Sequence, residues 1–263
     1  MFVAEPQPTH YDLNFRVAGV PVRVHPFFWL FTILLGTQGG DLNDPVPVFL
    51  WVVAVFVSIL IHELGHVAAF RYYGMNAHVV LYTFGGLAVA DGEYRWLSGR
   101  RGRRRGASGD AVIAFAGPLA GFLFAAAIVG GIYLAGYQAE FDGIFGKLSF
   151  KVGHAKIRSE NLNLLVHYLL FVNIVWGIIN LLPVYPLDGG QIARAALSSA
   201  NPMEGLRQSL MLSVGVGAGV ALLALVNLHD VFIALMFGCL AYSSYTMLQQ
   251  ISGGGGYGGG RGW

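Results

Sequence analysis

Cysteine is nearly missing from this chain: Cys239 is the only one among 263 residues. An intramolecular disulfide is therefore excluded, and so is a cysteine-based zinc site, which leaves His, Asp and Glu as the available metal ligands. Cys239 stands in an apolar run and reads as buried filler. Charge is scarce as well. Only 11% of residues are Asp, Glu, Lys or Arg, against about 25% in soluble domains. The net charge of +2 is too small to imply a nucleic-acid partner. A charged start leading into an apolar core is also missing from Met1 to His10, so no cleavable signal peptide is expected.

What is there in excess is apolar surface: 55% of residues are hydrophobic and the mean hydropathy is +0.59. No charge occurs from Val24 to Gly40 or from Pro45 to Ile61. Six stretches read as membrane spans: 25–38, which is short for one, then 46–73, a third within 111–139, 161–187, 208–229 and 231–250. Between them, the alternation over 14–24 reads as strand, Gly turn and strand, and 77–89 reads as two short strands around a Gly85-Gly86 turn. A mixed-charge loop is expected over 140–160, and 191–205 as a connection beginning with a short helix that contains Arg194.

The expected fold is an all-α polytopic membrane protein with about six transmembrane helices and a small β-hairpin region on the cytoplasmic side. Residues 1–24 form a cytoplasmic segment, 25–251 the membrane domain with its core at about 46–200, and 252–263 a Gly-rich disordered tail. Arg100, Arg101, Arg103, Arg104 and Arg105 form a basic run suited to anionic lipid headgroups. With six spans, Lys147, Lys151, Lys156 and Arg158 fall on one side and the other twelve of the 16 Lys and Arg on the opposite one. The positive-inside rule then places both termini in the cytoplasm, with the inner cell membrane as the expected location.

The chemistry is concentrated in Ile61-His62-Glu63-Leu64-Gly65-His66, at the end of an uncharged run. His62 and His66 stand four apart, so on a helix their imidazoles share a face. Two neutral imidazoles beside a carboxylate suit a zinc hydrolase: two ligands, and a base for an attacking water. A third ligand is needed. Glu63 and Asp188 are the acidic residues inside, or closing, an apolar run near the cytoplasmic side, and an acid at that depth marks a functional site. Pro183 and Pro186 precede Asp188 and interrupt helical hydrogen bonding, a feature that survives in a membrane only against protein or a wet cavity. Plainer readings stand beside these. Asp188 also suits a helix end in an Asp-Gly-Gly turn, and Asn180 a hydrogen bond between helices.

His62-Glu63-x-x-His66, together with Asn180-x-x-Pro183 and Leu187-Asp188-Gly189, resembles the site-2 protease family of intramembrane zinc metalloproteases (peptidase M50-like). Gly85-Gly86, Ala116-Gly117-Pro118 and Asn173 are similar to secondary features of that family, and the resemblance covers roughly residues 14–200. It implies one zinc ion per chain, bound by His62, His66 and Asp188. Glu63 would activate water and Asn180 would stabilise the oxyanion. Gly85, Gly86 and Asn173 would bind a transmembrane protein substrate, with membrane lipids as the other partner. One departure is the lack of an insertion large enough for a PDZ domain and of a cystathionine-synthase-type domain after the last span. Two other classes remain open at this point: a transporter using the polar residues as an ion site, and a non-catalytic relative that binds membrane helices.

Overall fold

The computed structural model describes residues 5–37, 44–83, 85–90, 106–136, 138–142, 149–153, 159–199 and 201–253. The arginine run at 100–105 and the tail from 254 onward lie outside the described residues. The chain divides into two compact units, one of residues 5–103 and 116–179, the other of 1–4, 104–115 and 180–263.

The first unit begins with strands β1 (Leu13–Val17) and β2 (Val20–Val24), turned at Ala18 and Gly19 with φ of 48° and 76°. Helix α1 (Pro26–Thr37) and helix α2 (Pro45–Tyr72) follow, then strands β3 (Ala77–Tyr82) and β4 (Gly85–Ala90). The sheet order is β1-β2-β3-β4, with β2 and β3 parallel and the other pairs antiparallel. Two hairpins are thus fused into one sheet, with β4 at its edge. Helix α3 (Ala107–Leu134) supplies this unit from Ala116 onward. Helix α4 (Glu160–Asn180) supplies it up to Ile179 and is π-helical over Val172–Trp176.

Helix α2 organises this unit. Asp44 caps it by accepting from the Val46 N–H at 3.0 Å, and Pro45 sits where a missing N–H costs nothing. It ends where Gly74, at φ 77°, lets the Met75 N–H reach back to Phe70 O at 3.0 Å. Val55, Ile59, Glu63 and Val67 recur every four residues and are all buried. Three of them join Val20, Val22, Val24, Val79 and Leu81 of the sheet in one apolar core. A neighbouring stripe carries Ser58, His62 and His66, again at steps of four.

The second unit holds the start of α3, the non-helical stretch 181–187, and helices α5 (Asp188–Leu197), α6 (Pro202–Leu228) and α7 (Val231–Gly253). Asn201 caps α6, accepting from the N–H groups of Met203 and Glu204.

Five helices, α2, α3, α4, α6 and α7, are long and apolar enough to cross a bilayer. Their number, length and apolar composition are those of a membrane-embedded chain. Several details differ from the sequence expectation. The first span is a helix of 12 residues, about 18 Å long against a hydrocarbon core of about 30 Å. The fourth stops at Asn180, because Pro183 has no N–H to continue the ladder and its ring disfavours helix before it. Asp188 therefore opens α5 and does not close a span. Gly85 and Gly86 open β4, paired with Tyr82 and Leu81, and do not form the turn. In the expected loop, β5 (Gln138–Asp142) and β6 (Ser149–Gly153) pair antiparallel. Cys239 is exposed on α7. On a spanning helix apolar residues face lipid as readily as a core, so an apolar setting does not signal burial.

Candidate metal centre

The two imidazoles meet as the helical spacing requires. His62 Nε2 and His66 Nε2 lie 3.2 Å apart, with ring planes at 77°. Two nitrogens bound to one tetrahedral zinc at 2.0–2.1 Å stand about 3.3 Å apart, so the pair fits such an ion without moving. One ligand atom each from His62, Glu63 and His66 falls within 4.8 Å of the others, the one such group among the described residues. Glu63 and His66 are 5% and 8% exposed. A carboxylate so withdrawn from water needs a cation or strong donors beside it, which a bound divalent metal would supply.

Glycine lets the neighbours approach. A Cβ on Gly117 of α3 would overlap His66 Nε2 and stand 2.7 Å from His62 Nε2. The α3 backbone therefore passes directly against both Nε2 atoms. Gly65 does the same between the histidines, where a Cβ would strike Ala116 O and meet Ala120 Cβ at 2.7 Å. Small residues facing one another across α2 and α3 allow the close helix contact typical of membranes. On the sheet side, a Cβ on Gly86 would overlap the Glu63 side chain and stand 2.6 Å from its Oε1. Edge strand β4 thus lies over the Glu63 carboxylate. Gly85, in contrast, has open space at its Cβ position.

Asn173 lies in the π-helical stretch of α4 and is 4% exposed. Its Nδ2 donates to Ser58 Oγ and to Leu169 O, both at 2.8 Å, so both amide protons are engaged within the protein. A Cβ on Gly121, one turn beyond Gly117, would stand 3.3 Å from Asn173 Oδ1. The amide therefore braces α2 one turn before His62. Sequence reasoning placed Asn173 on the substrate and passed over Ser58, although a Ser four residues before His62 shares its helical phase. Asn180 and Asp188 belong to the second unit, at the end of α4 and the start of α5. Gly117 as the roof over the imidazoles was not legible, because a glycine in an apolar helix carries no sign of what it faces.

Spanning helices around a His-Glu-x-x-His cluster define a membrane protein with a metal-peptidase type of centre. The model of peptidase family M50 matches residues 50–224, and the chain belongs to that family. A zinc metalloprotease of Methanocaldococcus jannaschii is 28% identical over 241 residues, covering 90% of this chain and 56% of the relative. Rip3 of Mycobacterium tuberculosis, also described as a zinc metalloprotease, is 31% identical over 195 residues, 69% of this chain and 42% of its own. The chain thus spans about half the length of these curated relatives. Among solved structures, the site-2 protease from M. jannaschii superposes with a TM-score of 0.54 over 90% of this chain and 95% of its own, at 23% identity. The site-2 protease resemblance and the polytopic helical fold read from the sequence are both borne out.

Proposed function

We propose that this protein is an intramembrane zinc metalloendopeptidase that hydrolyses peptide bonds within transmembrane segments of other membrane proteins. The observation that carries the reading is the 3.2 Å convergence of His62 and His66 Nε2, with Glu63 alongside, on a helix of spanning length. The descriptions of both relatives as zinc metalloproteases support it.

In this reading His62, His66 and Asp188 hold one zinc ion per chain. When bound, zinc supplies a Lewis acid and a water of lowered pKa. Glu63 takes the proton of the attacking water and returns it to the leaving amine, a role that its burial and its place beside the imidazoles favour. The Asn180 amide donates to the scissile carbonyl oxygen as charge builds on it. The substrate segment unwinds and adds to the edge strand β4, where the Gly85-Gly86 backbone is its hydrogen-bonding partner. Gly86 leaves no side chain between β4 and Glu63, which supports a substrate strand added to β4 near the carboxylate. Asn173 serves the site at one remove, through its bond to Ser58. With α1 counted as a sixth, short crossing, the arginine distribution supports cytoplasmic termini, a centre toward the cytoplasmic face of the cell membrane, and contact with anionic lipid.

The test is reconstitution of the full chain with single-span substrates. Cleavage should stop on chelation and return with zinc. Glu63→Gln should retain zinc yet lose roughly 10²-fold or more in rate, the usual contribution of a general base. Cleavage by Glu63→Gln at the wild-type rate would overturn the reading.

A further inference from the structure

Within the second unit, the seven residues between α4 and α5 contain Pro183 and Pro186, so this backbone cannot satisfy itself as helix. The Tyr185 N–H finds its acceptor outside the loop, at Ser213 Oγ of α6, 3.0 Å away. Ser213 is 1% exposed and sends its own proton to Ser209 O at 2.8 Å. The hydroxyl is used in both directions, as acceptor for the loop and donor to its own helix. Ser244 of α7 approaches the same residue, its Oγ 3.4 Å from Tyr185 O. Its single proton is closer to Leu240 O, at 2.9 Å, so Ser213 makes the firmer tie.

Tyr185 bears directly on the helix that begins with Asp188. A Cβ on Gly190 would stand 2.6 Å from Tyr185 N and from Val184 C, and one on Gly189 would strike the Leu181 carbonyl. The first turn of α5 rests backbone to backbone on the loop. The Leu187 N–H donates to Val184 O at 2.8 Å, closing the turn that leads into Asp188. A shift of Tyr185 therefore passes to the start of α5 with no flexible side chain to absorb it.

From this chain of contacts we infer that Ser213, through the Tyr185 N–H, is a positioning residue for Asp188, so that α6 sets the placement of a metal ligand. This rests on the reading of Asp188 as the third ligand. Loss of the Ser213 acceptor leaves the part-buried Tyr185 N–H to seek another partner, and the loop moves to provide one. Losing the partner that orients a ligand typically costs 10–100-fold in metal affinity, so Ser213→Ala should release zinc about 10–100 times faster.

The experiment uses the full chain in detergent, loaded with zinc and challenged with a chromogenic chelator, alongside the cobalt-substituted protein for its visible spectrum. Asp188→Asn should accelerate release most. Ser213→Ala should accelerate it and alter the cobalt spectrum, while Ser213→Thr, which keeps the hydroxyl, should behave as wild type. Hydrogen exchange of the metal-free protein should show faster exchange at Tyr185 in Ser213→Ala. If Asp188→Asn releases zinc at the wild-type rate, the ligand assignment fails and this inference with it. If Asp188→Asn is fast but Ser213→Ala keeps the wild-type release rate and cobalt spectrum, the positioning role alone is overturned.

Discussion

At the scale of single residues, the centre depends on atoms that are missing. Glu63 can lie under strand β4 because Gly86 has no Cβ, and the imidazoles can lie under α3 because Gly117 has none. The adjacent glycines of β4 separate these effects. Gly86→Ala places a methyl group into the Glu63 carboxylate and should lower the proposed peptidase rate by about tenfold or more, the loss expected when a general base, the role proposed for Glu63, is displaced by a fraction of an ångström. Gly85→Ala meets open space and keeps the backbone N–H and C=O that would pair with a substrate strand, so it should stay within about twofold of wild type. Initial rates on one single-span substrate compare the two. Equal losses would show that the strand as a whole, and not its contact with Glu63, controls the rate.

At the scale of elements, α2 carries two buried stripes with different tasks. Val55, Ile59 and Val67 bind it to the sheet and bring Glu63 to β4, while Ser58 leads to the histidines and is braced from α4. Polar side-chain bonds between membrane helices contribute about 0.6 kcal/mol on average and up to about 1.7. Asn173→Ala should destabilise the fold by about that amount, measured by thermal or denaturant unfolding in detergent. Ser58→Ala should cost a similar amount. The double variant should cost less than the sum, because both single changes remove the same bond. The sequence placed the elements well where period and length spoke together, as in α2 and in β1 and β2. It placed Asp188 at the end of a span because hydropathy continues through Leu187, whereas the prolines stop the helix at Asn180 and the chain restarts at Asp188.

At the scale of the whole molecule, the segment that leads into the sheet of the first unit answers to pH away from the candidate metal centre. The segment before β1 is strapped to the sheet through Arg23, which donates to Glu5 at 2.7 Å, to Asp12 at 3.0 Å and to Pro6 O at 2.9 Å. Burial opposes charge on Asp12, but hydrogen bonds from Thr9 and the Arg23 guanidinium outweigh it and hold the carboxyl down to about 2 from an ordinary 3.8. The folded value lies below the unfolded one. The strap's contribution is therefore complete above about pH 4 and is lost as pH falls toward 2. Proteolysis or hydrogen exchange of residues 5–12 should show the strap loosening across that window. Arg23→Gln should move the loosening to higher pH, and an unchanged midpoint would exclude the guanidinium as its cause. A second whole-molecule consequence follows from the proposed zinc. Ligand binding to the folded state alone raises stability, so chelation should lower the unfolding temperature of the wild type and leave that of a His62→Ala, His66→Ala double variant unmoved.

The amino-acid sequence by itself determined the solvent of this protein, the helical phase of His62, Glu63 and His66, and the family to which the chain belongs. Those properties are written locally, in hydropathy and in spacings of four, and any helix of that sequence must display them. The tertiary structure alone decided that Gly86 lies on Glu63, that Gly117 roofs the histidines, that Asn173 braces Ser58, and that Ser213 holds Tyr185. These contacts join residues far apart in the chain, and half of them depend on glycine. What glycine contributes is room, and room becomes visible only when the neighbouring backbone fills it.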